Sequence, residues 1–190
     1  MDNCFLCKAK LVSCTDCPVR DCGVCLLRQS HICCVVCRKK ITCHSSKVCT
    51  SCINMYNWIT PEVIVGDYET PNLLADLVVD LNYPYNHTSL GEIVVLGNVI
   101  SIGVGDSETH TEILKSLIPK LFSILEETPH KKILFRCHAG ISRSATIASI
   151  YLSKKLQISG EQALELVKVK RLQVSPNKGF LNLLKTEYQI

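Results

Sequence analysis

Apolar residues recur along this chain in two rhythms, short solid runs and three-to-four-residue spacing, which alternate from Glu62 onward. Glu62-Val63-Ile64-Val65-Gly66-Asp67 is an apolar run closed by a turn and predicts a strand. Thr70 before Pro71 predicts a capped short helix as far as about Ala75. Leu77 to Leu81 predicts another strand, and Ile93 to Ile102 one or two more around Gly97-Asn98. Leu114, Leu117, Leu121 and Leu125, with Ile118 and Phe122, predict a helix over 109–126, and Pro119 inside it predicts a kink or an irregular turn. Ile133-Leu134-Phe135 predicts a central parallel strand, followed by a loop over 137–143 and a helix from Ser144 to Leu156. Ser159-Gly160-Glu161-Gln162 fits a capping box that opens a helix to about Leu172, and the last helix begins in Pro176-Asn177-Lys178-Gly179-Phe180. The alternation predicts an α/β fold, a central and mostly parallel sheet flanked by helices.

The first 55 residues follow neither rhythm. Twelve of the thirteen cysteines lie between Cys4 and Cys52. Residues 1–55 carry eight Lys/Arg against three Asp/Glu, a net of +5, whereas residues 56–190 carry thirteen against fourteen, a net of −1. Two modules are the simplest reading, 1–55 and 56–190.

Five Cys-x-x-Cys pairs stand in the first module: Cys4/Cys7, Cys14/Cys17, Cys22/Cys25, Cys34/Cys37 and Cys49/Cys52. This spacing lets two thiolates grip one tetrahedral ion from a tight turn. Cys33 and Cys43 complete twelve thiols, enough for three four-cysteine structural zinc sites, with His31 and His44 as substitutes. A disulfide framework is the alternative. Against it stand the lack of a signal-peptide run in MDNCFLCKAK and the need of the second module for a free thiol. Thiolate-bound zinc cancels the +5 charge, and few aromatics are present to stack bases, so nucleic-acid binding is not expected. A structural role, or docking of a protein partner, fits better. The longest uncharged stretch, Ile93 to Gly105, is too short to span a bilayer. The expectation is a soluble protein of the cytoplasm, the nucleus or both, with no membrane contact.

The remaining cysteine carries the chemistry. In Arg136-Cys137-His138-Ala139-Gly140-Ile141-Ser142-Arg143-Ser144 it stands at the start of a loop that a helix closes. Successive backbone N–H groups of such a loop form an anion nest, here from His138 through Ala139, Gly140, Ile141 and Ser142 to Arg143, and the helix adds its positive end. The same field favours the Cys137 thiolate. Gly140 allows a backbone turn or close approach that a side chain would block. Arg143 offers a planar fork to two phosphate oxygens. The Ser144 hydroxyl can donate to the sulfur and help it leave.

The run from Cys137 to Thr146 resembles the signature of the dual-specificity protein phosphatases, within the cysteine-based tyrosine phosphatase superfamily. The likeness extends to Ser175-Pro176-Asn177-Lys178-Gly179-Phe180 and covers roughly residues 58–188. It implies a phosphoprotein substrate, a cysteinyl-phosphate intermediate, no catalytic cofactor, and a general acid at Asp106 in Gly103-Val104-Gly105-Asp106-Ser107. In one respect the chain departs from the pattern. Arg136 stands where the family usually has a histidine that orders the loop, and this implies a looser cup. An RNA 5′-phosphatase of the same superfamily and a phosphoprotein-binding pseudophosphatase are the alternatives. Lysines that would hold extra inositol phosphates are absent from the loop.

Overall fold

The computed structural model describes residues 12–13, 30–33, 40–41 and 55–189, and the chain divides into two units, Met1–Asn54 and Met55–Ile190. In the first unit β1 (Val12–Ser13), β2 (Ser30–Cys33) and β3 (Lys40–Ile41) form an antiparallel sheet in the order β1-β2-β3. Val12 pairs with His31 and Cys33 with Lys40. Apart from His31 and Cys33, which are described by their backbone, the expected zinc ligands lie outside the described residues. Among those residues no cluster of His, Cys, Asp and Glu is built to hold a metal.

The second unit is built on six strands: β4 (Tyr56–Trp58), β5 (Val63–Gly66), β6 (Leu77–Asp80), β7 (Ile93–Leu96), β8 (Val99–Ile102) and β9 (Ile133–Arg136). Their order is β4-β5-β9-β6-β8-β7. The inner four run parallel, while β4 and β7 pair antiparallel at the edges. β9 lies between β5 and β6, which is why Ile133, Leu134 and Phe135 are all fully buried.

Among the described residues the four α-helices are α1 (Thr111–Glu127), α2 (Arg143–Leu156), α3 (Gly160–Lys170) and α4 (Lys178–Glu187). Their apolar faces join the cluster that holds Val63, Val65, Val79, Ile100, Ile133 and Phe135. Alternate positions Ile64, Val78 and Leu134 face the other way and pack with Leu74. The sheet is flanked by helices as expected, and among the described residues all four pack on one face, while Leu74 of the Asn72–Leu74 turn packs on the other. No helix among the described residues is long and apolar enough to cross a membrane.

Two local expectations need correction. Thr70 caps no helix: Asn72–Leu74 is one 3-10 turn that starts after Pro71, and the Thr70 hydroxyl is instead shared between Met55 O at 3.2 Å and Asp67 Oδ1 at 3.3 Å. Gly66 makes room for it, since a Cβ there would stand 2.2 Å from Thr70 Oγ1. No irregular turn interrupts α1, which runs from Thr111 to Glu127 through Pro119, a residue on its exposed side.

The capping box is present in full. Gln162 N–H donates to Ser159 Oγ at 3.2 Å, and Ser159 N–H to Gln162 Oε1 at 3.0 Å. Ser159→Ala is expected to lower stability by about 1 kcal/mol, measured by urea unfolding of the 55–190 unit.

Candidate active site

β9 runs out at Arg136 and hands the chain to Cys137, whose side chain is 1% exposed. Six residues later α2 starts at Arg143. Among the described residues, none of the backbone N–H groups of His138, Ala139, Gly140, Ile141 and Ser142 has a protein acceptor. Every carbonyl of the same five residues does have a donor. His138 O accepts from Tyr68 N at 3.4 Å, and Ile141 O from Ser175 N at 3.0 Å. Ala139 O and Gly140 O accept from the Arg171 guanidinium at 3.3 and 2.7 Å. Ser142 O accepts from both the N–H and the hydroxyl of Thr146. A loop with its carbonyls tied back and its amides free is an anion nest. Gly140 completes it with a left-handed φ of 65°, and a Cβ there would meet Arg171 at 2.5 Å and the Gly66 carbonyl at 2.7 Å.

At the foot of the nest Cys137 Sγ lies 3.3 Å from Ser144 Oγ, which is also 3.5 Å from Gly66 O. The hydroxyl has one proton. It can point to a thiolate, or to the carbonyl when the sulfur is protonated. Arg143 is held by one nitrogen: Nη1 donates to Leu81 O, Tyr83 O and Val104 O at 2.7, 3.0 and 3.3 Å. Its Nε is buried with no partner, at a cost of about 1–3 kcal/mol unless an acceptor arrives. That donor, beside free amides and a buried sulfur, is what an oxyanion would take.

Asp106 stands over the same cup. Its Oδ1 accepts from Ser142 Oγ at 2.7 Å and Asn177 Nδ2 at 2.8 Å, and its Oδ2 lies 4.0 Å from Arg143 Nε. The loop is fixed from behind by Gly105 N–H donating to His110 Nδ1 at 3.1 Å. His138 faces outward, stacked on exposed Tyr68 with ring centroids 5.2 Å apart and tilted toward Tyr85 at 6.0 Å. Thus Cys137, Asp106, Arg143 and Ser144 converge.

Arg136 does not leave the cup loose. Its Nε and Nη2 donate to Asp80 Oδ2 at 2.9 and 2.6 Å, and its Nη1 to Thr70 O at 3.1 Å and Asn72 Oδ1 at 2.6 Å. The looseness expected from the missing histidine is corrected by this network, and Asp80 is its centre.

Sequence reasoning missed two residues. Arg171 is 1% exposed and reaches Asn57 Oδ1 at 2.9 Å as well as the loop. Burial pushes its guanidinium below the usual value, opposed by Asp67 and the Cys137 sulfur. Nothing in its local sequence separates it from an ordinary last-turn basic residue. Asn177 is the other. It reads as a helix cap, and it does accept from Phe180 N at 3.0 Å, but its amide also holds Asp106.

The comparisons with known proteins agree with this geometry. The family described as dual specificity phosphatase, catalytic domain, matches residues 80–190, more than half of the chain, and the chain belongs to it. Human dual specificity protein phosphatase 6 is 36% identical over 80 residues, 41% of this chain and 21% of that protein. The tyrosine-protein phosphatase vhp-1 of Caenorhabditis elegans is 36% identical over 138 residues, 69% of this chain and 20% of that protein. The chain thus spans about a fifth of the length of such curated relatives. The solved structure of human DUSP28 superposes with a TM-score of 0.55 at 19% identity, covering 70% of this chain and 93% of that one. A mouse putative dual specificity phosphatase complexed with zinc tungstate gives 0.54 at 19% identity, over 71% and 87%. At that identity the two structures speak for the fold.

Arg171→Lys is expected to weaken orthovanadate binding about 10²-fold, because one ammonium cannot hold two loop carbonyls and Asn57 together. Isothermal titration against the parent protein measures it.

Proposed function

We propose that this chain hydrolyses phosphotyrosine and phosphoserine or phosphothreonine on proteins through a cysteinyl-phosphate intermediate. The observation that carries the reading is the buried, unpartnered Arg143 Nε in the same cup as Cys137 Sγ and five free amides. Family membership supports the same chemistry.

In this mechanism the nest amides and Arg143 hold three phosphate oxygens, and the Cys137 thiolate attacks phosphorus. The P–O ester bond breaks, and the leaving oxygen takes a proton from Asp106. Ser142 and Asn177 occupy Oδ1 of that carboxyl, so Oδ2 is the oxygen left to carry the proton. Water then attacks the phosphoenzyme and gives its proton to Asp106. The P–S bond breaks, and the Ser144 hydroxyl donates to the departing thiolate. The exposed Tyr68, His138 and Tyr85 rings supply a rim that an aryl ester can rest on.

Hydrolysis of a small aryl phosphate, inhibited by vanadate and abolished in Cys137→Ser, tests the proposal. Vanadate binding without turnover would make the cup a phosphoprotein reader instead. Asp106→Asn is expected to slow turnover about 10²- to 10⁴-fold on esters with poor leaving groups and much less on activated aryl phosphates. An equal loss on both, seen in steady-state rates, would assign Asp106 a structural role.

We further propose that residues 1–55 form a structural zinc module, most simply with three ions held by Cys4, Cys7, Cys14, Cys17, Cys22, Cys25, Cys33, Cys34, Cys37, Cys43, Cys49 and Cys52. The support is the donor chemistry of five Cys-x-x-Cys pairs. A free thiol at Cys137 fits a reducing compartment, the cytoplasm or nucleus. Docking of a protein partner is the role proposed for the module. A strong chelator is expected to remove about three zinc ions per chain and unfold residues 1–55, leaving aryl phosphatase activity in place. Elemental analysis with activity assays before and after chelation checks it.

A further inference from the structure

We propose that Arg136 is a positioning residue for Arg143. Its fork on Asp80 sets the 81–83 segment whose carbonyls aim the Arg143 guanidinium into the cup. The proposal rests on the reading of that cup as an oxyanion site.

The two oxygens of Asp80 have divided roles. Oδ2 takes both Nε and Nη2 of Arg136, at 2.9 and 2.6 Å, while Oδ1 takes the backbone N–H of Asn82 at 2.8 Å. Leu81 N–H donates to Arg136 O at 2.8 Å, so residues 81 and 82 are both tied to the pair. The carbonyls on either side of Asn82, Leu81 O and Tyr83 O, are the two shortest acceptors of Arg143 Nη1. The position of Arg143 is therefore one peptide away from the carboxylate that Arg136 holds. The other end of the loop refers to the same guanidinium. Arg136 Nη1 fixes Thr70 O and Asn72 Oδ1, Thr70 is tied to Asp67, and the next residue, Tyr68, holds His138 O.

The chemistry requires an arginine there. Three nitrogens of Arg136 serve three residues in different directions. An imidazole has two nitrogens on one ring, and an ammonium is a single point, so neither meets Asp80, Thr70 and Asn72 at once. With Asp80 at 6% exposure and the Arg136 side chain at 17%, the pair is shielded enough for loss of either partner to be felt.

The test compares Arg136→His, Arg136→Lys, Asp80→Asn and the double variant Arg136→His/Asp80→Asn with the parent protein. Each is assayed for orthovanadate affinity by titration, for aryl phosphate turnover and for melting temperature. Leu125→Ala, a cavity at the far end of α1 from the Asp106 loop, serves as a control that lowers the melting temperature without touching the cup. The expected result is a vanadate affinity loss of about 10- to 100-fold in Arg136→His and in Asp80→Asn, with the double variant no worse than the worse single one. Arg136→Lys is expected to fall between, and Leu125→Ala to bind as the parent does.

Parent-like vanadate binding in Arg136→His overturns the proposal. So does an affinity loss in Leu125→Ala equal to that of Arg136→His at matched melting temperature, since the effect is then only one of stability. The binding readout keeps the two readings apart. A parent protein that binds vanadate without turnover removes the enzymatic reading and leaves the role of Arg136 to be decided by affinity. A parent protein that binds no vanadate overturns both.

Discussion

A loop that turns its N–H groups inward must turn its carbonyls outward, and outward here is the protein interior. Five consecutive carbonyls, His138 to Ser142, would be left unpaired behind the cup at a cost of about 1–3 kcal/mol each. The whole domain is arranged to prevent that. Tyr68 comes from the turn after β5, Arg171 from the end of α3, Ser175 from the segment before α4, and Thr146 from α2 itself. Arg171 is decisive because it serves two carbonyls at once and, among the described residues, is the largest side chain buried below 2% exposure. A charged group accepts that much burial only when it is paired, and its acceptors include Asn57 Oδ1 and the two loop carbonyls, Ala139 O and Gly140 O.

The parallel core makes these contacts reachable. β5, β9, β6 and β8 all point the same way, so the segments that follow them open at one edge of the sheet. β9 is the central member and supplies the nucleophile. Its neighbours supply the framing segments: Gly66 to Thr70 on one side, Leu81 to Tyr83 on the other. The segment after β8 delivers Val104 O to Arg143 and Asp106 to the rim. Strand order thus decides which residues meet, and residues from distant parts of the chain become neighbours without any of them being near in sequence.

This explains what the sequence could reveal. β9, α2 and the Cys137-to-Arg143 spacing are local patterns, and the capping box at Ser159 is a four-residue signal, so all were legible. Asp106 was located by resemblance and not by its own pattern, since an acid in a glycine-rich loop looks like any solvated turn. Arg171 and Asn177 were invisible in their second roles, because each reads locally as a routine helix-end residue. Thr70 misled for the opposite reason. Its sequence context suits a cap, but a glycine at 66 left a space into which its hydroxyl could turn, and the buried contact won over the local one. Arg136 looked like a loss when compared with the histidine of the family pattern. Its partner Asp80 lies 56 residues away, and only register pairing of β6 with β9 sets the two side by side.

The two arginines that flank Cys137 in sequence show how partner type decides role. Arg136 is given a carboxylate, and a guanidinium so paired has little left for a ligand. Arg143 is given neutral carbonyls as its hydrogen-bond acceptors. They fix one nitrogen without cancelling the charge, and the nearest carboxylate oxygen stays at 4.0 Å, beyond a hydrogen bond. An incoming dianion therefore meets a cation already oriented, with no carboxylate hydrogen-bonded to its Nε. The reorganisation that would otherwise oppose binding has been met during folding. Had Asp106 closed on Arg143 directly, the acid would have blocked its own substrate. The donors from Ser142 and Asn177 give it a different place to rest, near enough to the cup to serve the leaving oxygen and clear of the arginine that holds the phosphate.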